Sequence, residues 1–237
     1  MKRLFLSIFV IVGLIYLTAP VHAIPLLQED FSSATIATGS INDPSDIVAH
    51  KWYDFPNTPR WTIFNDSGDN IAKLTPTDGD VTNILFTAVD ATGLSIGTEL
   101  TLDFEYKYTE PTTPGRAFAY LVGLNFPGND LDTFAPWLDD AAGGGGSPDV
   151  NDGTVLYRLD LAMGGAGWIS PTFPSVILSQ EFDAIGVAFV FGDGRAFMGV
   201  DDVSLEASAA SVPEPSTMLL FGSGLIGLWG FRKKFKK

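Results

Sequence analysis

Residues Glu99–Tyr108 read ELTLDFEYKY, and one alternation runs through all ten positions. Leu100, Leu102, Phe104, Tyr106 and Tyr108 fall on one side of an extended chain, while Thr101, Asp103, Glu105 and Lys107 fall on the other. Apolar residues at every second position are the pattern of a strand with one face in a core and one in water. Outward from this stretch, short β-branched or alternating runs recur: Trp61–Phe64, Ile71–Leu74, Ile84–Val89, Ala117–Leu124, Val155–Leu161, Ser175–Leu178, Ile185–Phe191 and Arg195–Leu205. Turn dipeptides separate them, among them Asp78-Gly79, Pro127-Gly128, Asp152-Gly153 and Asp193-Gly194. No long amphipathic helix interrupts the series. The expected fold is all-β, an antiparallel two-sheet sandwich of jelly-roll type.

Two apolar ends lie outside this pattern and are set apart from the fold. The chain opens MKRLFLSIFVIVGLIYLTAPVHA, with Lys2 and Arg3, an apolar run Leu4–Leu17, and small residues at Val21 and Ala23. That is the architecture of a signal peptide, with cleavage expected after Ala23 and the body placed outside the cytoplasm. The expected organisation is a leader over 1–23, a sandwich over 24–206, a linker over 207–211 and a sorting segment over 212–237.

The other end reads ASAASVPEPSTMLLFGSGLIGLWGFRKKFKK from Ala207. Pro213 and Pro215 fix φ and remove backbone donors, so the Pro213-Glu214-Pro215 stretch stays extended and legible to a processing enzyme. Ser216–Phe231 is a 16-residue apolar segment, about 24 Å long as a helix, which spans a membrane with the help of snorkelling lysines. Arg232, Lys233, Lys234, Lys236 and Lys237 follow, and positive charge is retained in the cytoplasm, the topology that the leader implies independently. These last 26 or so residues resemble the PEP-CTERM sorting signal of exopolysaccharide-producing Gram-negative bacteria. The resemblance implies an exosortase-type membrane protease or transpeptidase as partner, cutting near Pro213–Pro215. The helix is then a transit device, and the body ends at the cell surface or in an extracellular, biofilm-like matrix.

Charge narrows the partners. Between Ile24 and Ser211 stand 27 acidic and 7 basic residues, a net of −20. Such a field repels nucleic acid but not divalent cations or neutral polymers. There is no cysteine, so an exported body of this size relies on its core, which at about 190 residues buries roughly 70% of the unfolded surface.

The segments LLQEDFSS, GTELTLDFEYKY and FMGVDDVSLEA are similar to the first, central and last strands of galactose-binding-like jelly rolls, the fold of many carbohydrate-binding modules. Parity in GVDDVSLEA groups Asp201 with Val203 and Leu205 on the buried face, where a carboxylate needs a partner. The resemblance implies a structural calcium shared by Asp201 with Glu29 or Asp30 of the first strand; capping of backbone amides at the sheet edge is the other reading. Exposed aromatic faces carry sugar binding in such modules, and Trp137 and Trp168 are the candidates because both lie in Gly- or Pro-rich segments. Trp52, Tyr53 and Trp61 have the pattern of core. The acidic stretches Pro127–Gly153 and Asn65–Asn70 have the composition of solvated loops, without EF-hand spacing.

Catalysis is hard to assemble from these residues. Without cysteine, and with His50 the sole histidine left once the leader is removed, there is no triad and no His/Cys zinc site. A carboxylate pair of the glycosidase kind is the remaining catalytic option. The expectation is a non-catalytic surface or matrix protein, alternatively a glycan-binding module, with no required cofactor beyond structural calcium.

Overall fold

In the computed structural model the described residues are 23–38, 41, 43–55, 60–75, 82–109, 116–126, 153–162, 167–192, 197–208 and 223. The chain divides into two units, Ala23–Ser208 and the pair Met1–His22 with Ala209–Lys237. The second falls almost wholly outside the described residues, and with it the leader, Pro213–Pro215 and the apolar segment 216–231. Among the described residues no helix is long and apolar enough to cross a membrane.

The described residues of Ala23–Ser208 form twelve strands: β1 (Ala23–Glu29), β2 (Thr35–Thr38), β3 (Lys51–Phe55), β4 (Trp61–Asp66), β5 (Asp69–Leu74), β6 (Thr82–Asp90), β7 (Glu99–Thr109), β8 (Arg116–Leu124), β9 (Thr154–Leu161), β10 (Val176–Ile177), β11 (Ala184–Gly192) and β12 (Phe197–Ser208). One sheet runs β10-β7-β12-β5-β4, with β1 also paired to β12; the other runs β2-β3-β6-β11-β8-β9. The chain crosses between the sheets again and again, from β3 to β4, β5 to β6, β6 to β7, and so on to β11 and β12, which is the habit of a jelly roll. All pairings are antiparallel except β2 with β3, which is parallel. The sandwich is therefore mixed at one margin rather than wholly antiparallel.

Nine of the twelve strands coincide with runs legible in the sequence. The five apolar residues of β7 are all buried, between 0% and 3% exposed. They meet the inward residues of β11 across the interlayer, where Phe104 packs edge-on to Phe189 at 5.0 Å and Tyr108 edge-on to Phe191 at 5.2 Å. Trp52 lies between Phe31 and Phe189, so the aromatic stack closes the space that no disulfide spans. A second apolar cluster, including Tyr53, Phe86, Phe118 and Tyr120, lies on the other face of the β2–β9 sheet. Trp52, Tyr53 and Trp61 are buried, as their patterning implies.

Asn65–Asn70 is the solvated end of a β-hairpin, closed by the two-residue turn Ser67-Gly68. Asn65 pairs with Asn70 and Asp66 with Asp69. Ser67 and Gly68 both take positive φ, 62° and 108°, as a type I′ turn demands. At the other end β12 runs on through Ala207 and Ser208, the first two residues of the expected linker, because Ala207 packs in the core at 1% exposure. Their partners are Ile24 and Ala23.

Candidate functional site

β12 carries the candidate chemistry, and its register decides where each carboxylate goes. Gly199 pairs with Lys107, Val200 with Tyr106 and Asp201 with Glu105; the ladder then skips to Ser204 opposite Asp103. Two residues, Asp202 and Val203, thus stand against Phe104 alone, which is a β-bulge. Asp202 takes the left-handed φ of 47° that the bulge needs, a conformation Asp tolerates better than most residues. Inward positions are Met198 and Val200 before the bulge, and Val203, Leu205 and Ala207 after it.

Alternation across this slip breaks the expected placement of Asp201. It does not share a face with Val203 and Leu205; it shares the outer face of the sheet with Glu105, Lys107 and Gly199. Even there it is 5% exposed. Its Oδ1 accepts the Asp202 N–H at 2.8 Å. Burial first, then the negative charges of Asp202, Asp69 and Glu105, pushes its carboxyl up to about 7. Asp202 is raised in the same direction, by burial and then by Glu105, Asp69 and Asp30.

Glu29 lies opposite Val203 on β1, so it faces the core side of the sheet. Its side chain is fully enclosed. One oxygen accepts the Phe31 N–H at 2.9 Å, and the other meets His50 Nδ1 at 3.0 Å. His50 is exposed at the surface, its side chain half-open to water, and it holds φ at 59°. Asp30 turns outward and accepts the Ser32 N–H and hydroxyl, bonds that hold its carboxyl below the usual range. Glu29 and Asp201 therefore stand on opposite faces of one sheet, while Asp30, the other expected partner of Asp201, turns outward as Asp201 does. Among the described residues no three His, Asp or Glu side chains are grouped to hold a metal.

Trp137 lies outside the described residues, as does most of Pro127–Gly153. Trp168 is described and half-buried at the margin of the β7 sheet. Its neighbours hold it there: Ile169 exchanges two backbone hydrogen bonds with Tyr106, at 2.9 and 2.8 Å, and the Ser170 hydroxyl donates to Glu105 Oε1 at 2.8 Å. Lys107 Nζ stands 6.0 Å from the Trp168 ring centre and 3.8 Å from Asp66 Oδ2.

Residues that sequence reasoning missed lie beyond this pair on the same outer face. Lys73 is paired with Gly199, and its ammonium sits 3.9 Å over the centre of the Phe64 ring. Phe64 is 42% exposed, unusual for an aromatic in a strand. The parity of ELTLDFEYKY had already put Lys107 outward, but nothing local joins it to residues 64, 73, 168 and 199.

Among curated proteins, none is a detectable sequence relative of the chain. Solved structures similar in fold include the CBM22-1 xylan-binding domain from Paenibacillus barcinonensis Xyn10C, with 9% identity, 81% of this chain and 100% of that one covered, and a TM-score of 0.49. The C-terminal family 22 carbohydrate-binding module of Clostridium thermocellum Xyn10B has 11% identity, covers 79% and 95%, and scores 0.44. The K1 cleaved adhesin domain of Lys-gingipain from Porphyromonas gingivalis has 17% identity, covers 77% and 97%, and scores 0.38. These are likenesses of strand arrangement. The carboxyl end is more specific: residues 211–234 match the PEP-CTERM protein-sorting motif, on a chain whose body is a β-sandwich.

Proposed function

We propose that the chain is exported through the inner membrane, processed by an exosortase-type enzyme near Pro213–Pro215, and left at the cell surface or in the extracellular polymer layer as a non-catalytic sandwich. The observation that carries this reading is the sorting motif at 211–234, which begins three residues after the last strand ends at Ser208. The acidic, cysteine-free body supports display in a hydrated matrix, since its net charge favours solubility and disfavours nucleic acid. Intact mass and fractionation in the host test it. With Pro213–Pro215 replaced by three alanines, the chain should stay in the membrane at full mature mass while the wild type loses its tail. If both keep the tail, the processing reading fails.

A second reading, glycan binding by the body, is favoured by one observation. Trp168 is half-buried yet pinned in place by its neighbours' hydrogen bonds, the preorganised aromatic that sugar recognition uses.

A further inference from the structure

The body brings both of its ends to one place. Ala23 and Ser208 are partners in the β1–β12 ladder, and Ser208 also stands opposite Glu99, the first residue of β7. Apolar side chains open to water bracket this point. On the β1 side, Ile24 is 55% and Val48 48% exposed; Val48 lines a cleft with Pro25, Leu26, Ile47 and Val89, and Asp90, the last residue of β6, is on its rim. On the β7 side, Ile177 is 68% exposed and pairs with Glu99. Hydrogen bonds from the Gly97 N–H to Leu178 and from the Leu178 N–H to Thr98 hold Ile96, 62% exposed, at the same margin. Three inter-strand steps, about 14 Å, separate β10 from β1 at this end. Of the five large apolar side chains exposed among the described residues, only Phe64 lies elsewhere.

A short tether decides what this end meets. Seven residues, 209–215, two of them proline, separate Ser208 from the apolar segment 216–231, and fully extended they reach at most about 25 Å. With that segment in a bilayer, as the export reading has it, the exit end of the body stays within that distance of the lipid. The leader expected over 1–23 ties the same end from the neighbouring strand until it is removed. We propose that Ile24, Val48, Ile96 and Ile177 form a lipid-seating patch, which rests this end of the body in the bilayer interface until the tail is cut. Moving these side chains from water into the interface is favourable in proportion to the apolar area buried. Asp90, Glu99 and Glu181 are exposed at the same end, so the surface that fits is zwitterionic lipid, and anionic lipid repels it. Seated in this way, the body holds Pro213–Pro215 at the membrane face, within reach of an enzyme that is itself embedded there.

The inference rests on the export reading, and the test separates the two. The chain has no cysteine, so a single reporter thiol can be introduced cleanly. Full chain with Ser95→Cys, exposed next to Ile96, is labelled with an environment-sensitive fluorophore and reconstituted through its tail into phosphatidylcholine vesicles containing brominated lipid. The label should be quenched. The same label at Thr75→Cys, exposed at the opposite end about 35 Å along β12 from Ser208, should not be. Ile96→Asp with Ile177→Asp should cut quenching at the Ser95 position at least about two-fold, while Phe64→Asp, off the patch, should leave it unchanged. Added phosphatidylglycerol should lower it. Circular dichroism melts confirm that each variant folds. A chain that alkaline carbonate strips from the vesicles overturns the anchored tail and the seat with it; a chain that stays anchored with its Ser95 label unquenched overturns the seat alone. Equal quenching at both positions overturns the end-on seat, and disulfide-linked dimers of unlabelled Ser95→Cys without quenching assign the patch to a second copy and overturn its lipid character.

Discussion

Glu29 and His50 meet at 3.0 Å, one the last residue of β1 and the other the residue just before β3. The carboxylate is wholly enclosed and the imidazole half-open to water. With its other oxygen on the Phe31 N–H, Glu29 ties together two chain segments that no disulfide joins. Glu29→Ala leaves a buried N–H unmatched and should cost about 2–3 kcal/mol in urea unfolding. Glu29→Gln, which keeps an acceptor, should cost less than half as much; equal losses would assign the effect to packing.

Asp54 does similar work between β3 and β4. It is 1% exposed, and one oxygen accepts the N–H groups of Arg60 and Trp61. Burial raises its carboxyl above the usual range, opposed by those two donors and by the Arg60 charge. Asp54→Ala should destabilise by about 2–3 kcal/mol, and Asp54→Asn, which still accepts from both amides, by under about 1 kcal/mol. Thermal melts of the two variants separate the hydrogen bonds from the charge.

Gly123 has no room for a side chain. A Cβ there would stand 2.2 Å from the Phe182 ring, and Phe182 is itself buried. Gly123→Ala should therefore cost about 2–3 kcal/mol through overpacking. Combined with Phe182→Leu the penalties should be less than additive, a coupling that a double-mutant cycle measures directly.

Asp201 makes stability depend on pH in an unusual sense. Unfolded, it releases its proton near 3.8; folded, near 7. Between those values the native state keeps a proton that the unfolded state has lost, so the stabilisation is full below about pH 4, declines as pH rises, and is gone above about 7. Asp201→Asn should flatten that part of the profile by on the order of 3 kcal/mol, read as the difference between wild-type and variant unfolding at pH 4.5 and 7.5.

How far the sequence reaches depends on whether a feature is periodic, linear or long-range. β7 was legible because five apolar residues alternate without a break, and the sorting motif because its three parts are contiguous. β2 and β3 were hard to see: Thr35–Thr38 and Lys51–Phe55 are too short to show a period, and β2 is paired in parallel through a connection that offers no hairpin signal. Asp201 was misplaced for one reason. Alternation counted back from Leu205 assumes an unbroken strand, and a bulge changes the parity without changing composition. The outer-face pairing of lysines with rings escaped notice because residues 64, 73, 107, 168 and 199 become neighbours only through register.

Ala23 and Ser208, the first and last residues of the strand-built body, are rung partners in the β1–β12 pair. A chain whose ends meet side by side can be joined there and reopened elsewhere, so a circular permutant linking Ser208 to Ala23 should fold. The same adjacency sets the body's mechanics. Tension applied between its two ends peels β1 from β12 one hydrogen bond at a time instead of shearing the whole pair, and makes this seam the first to yield under load.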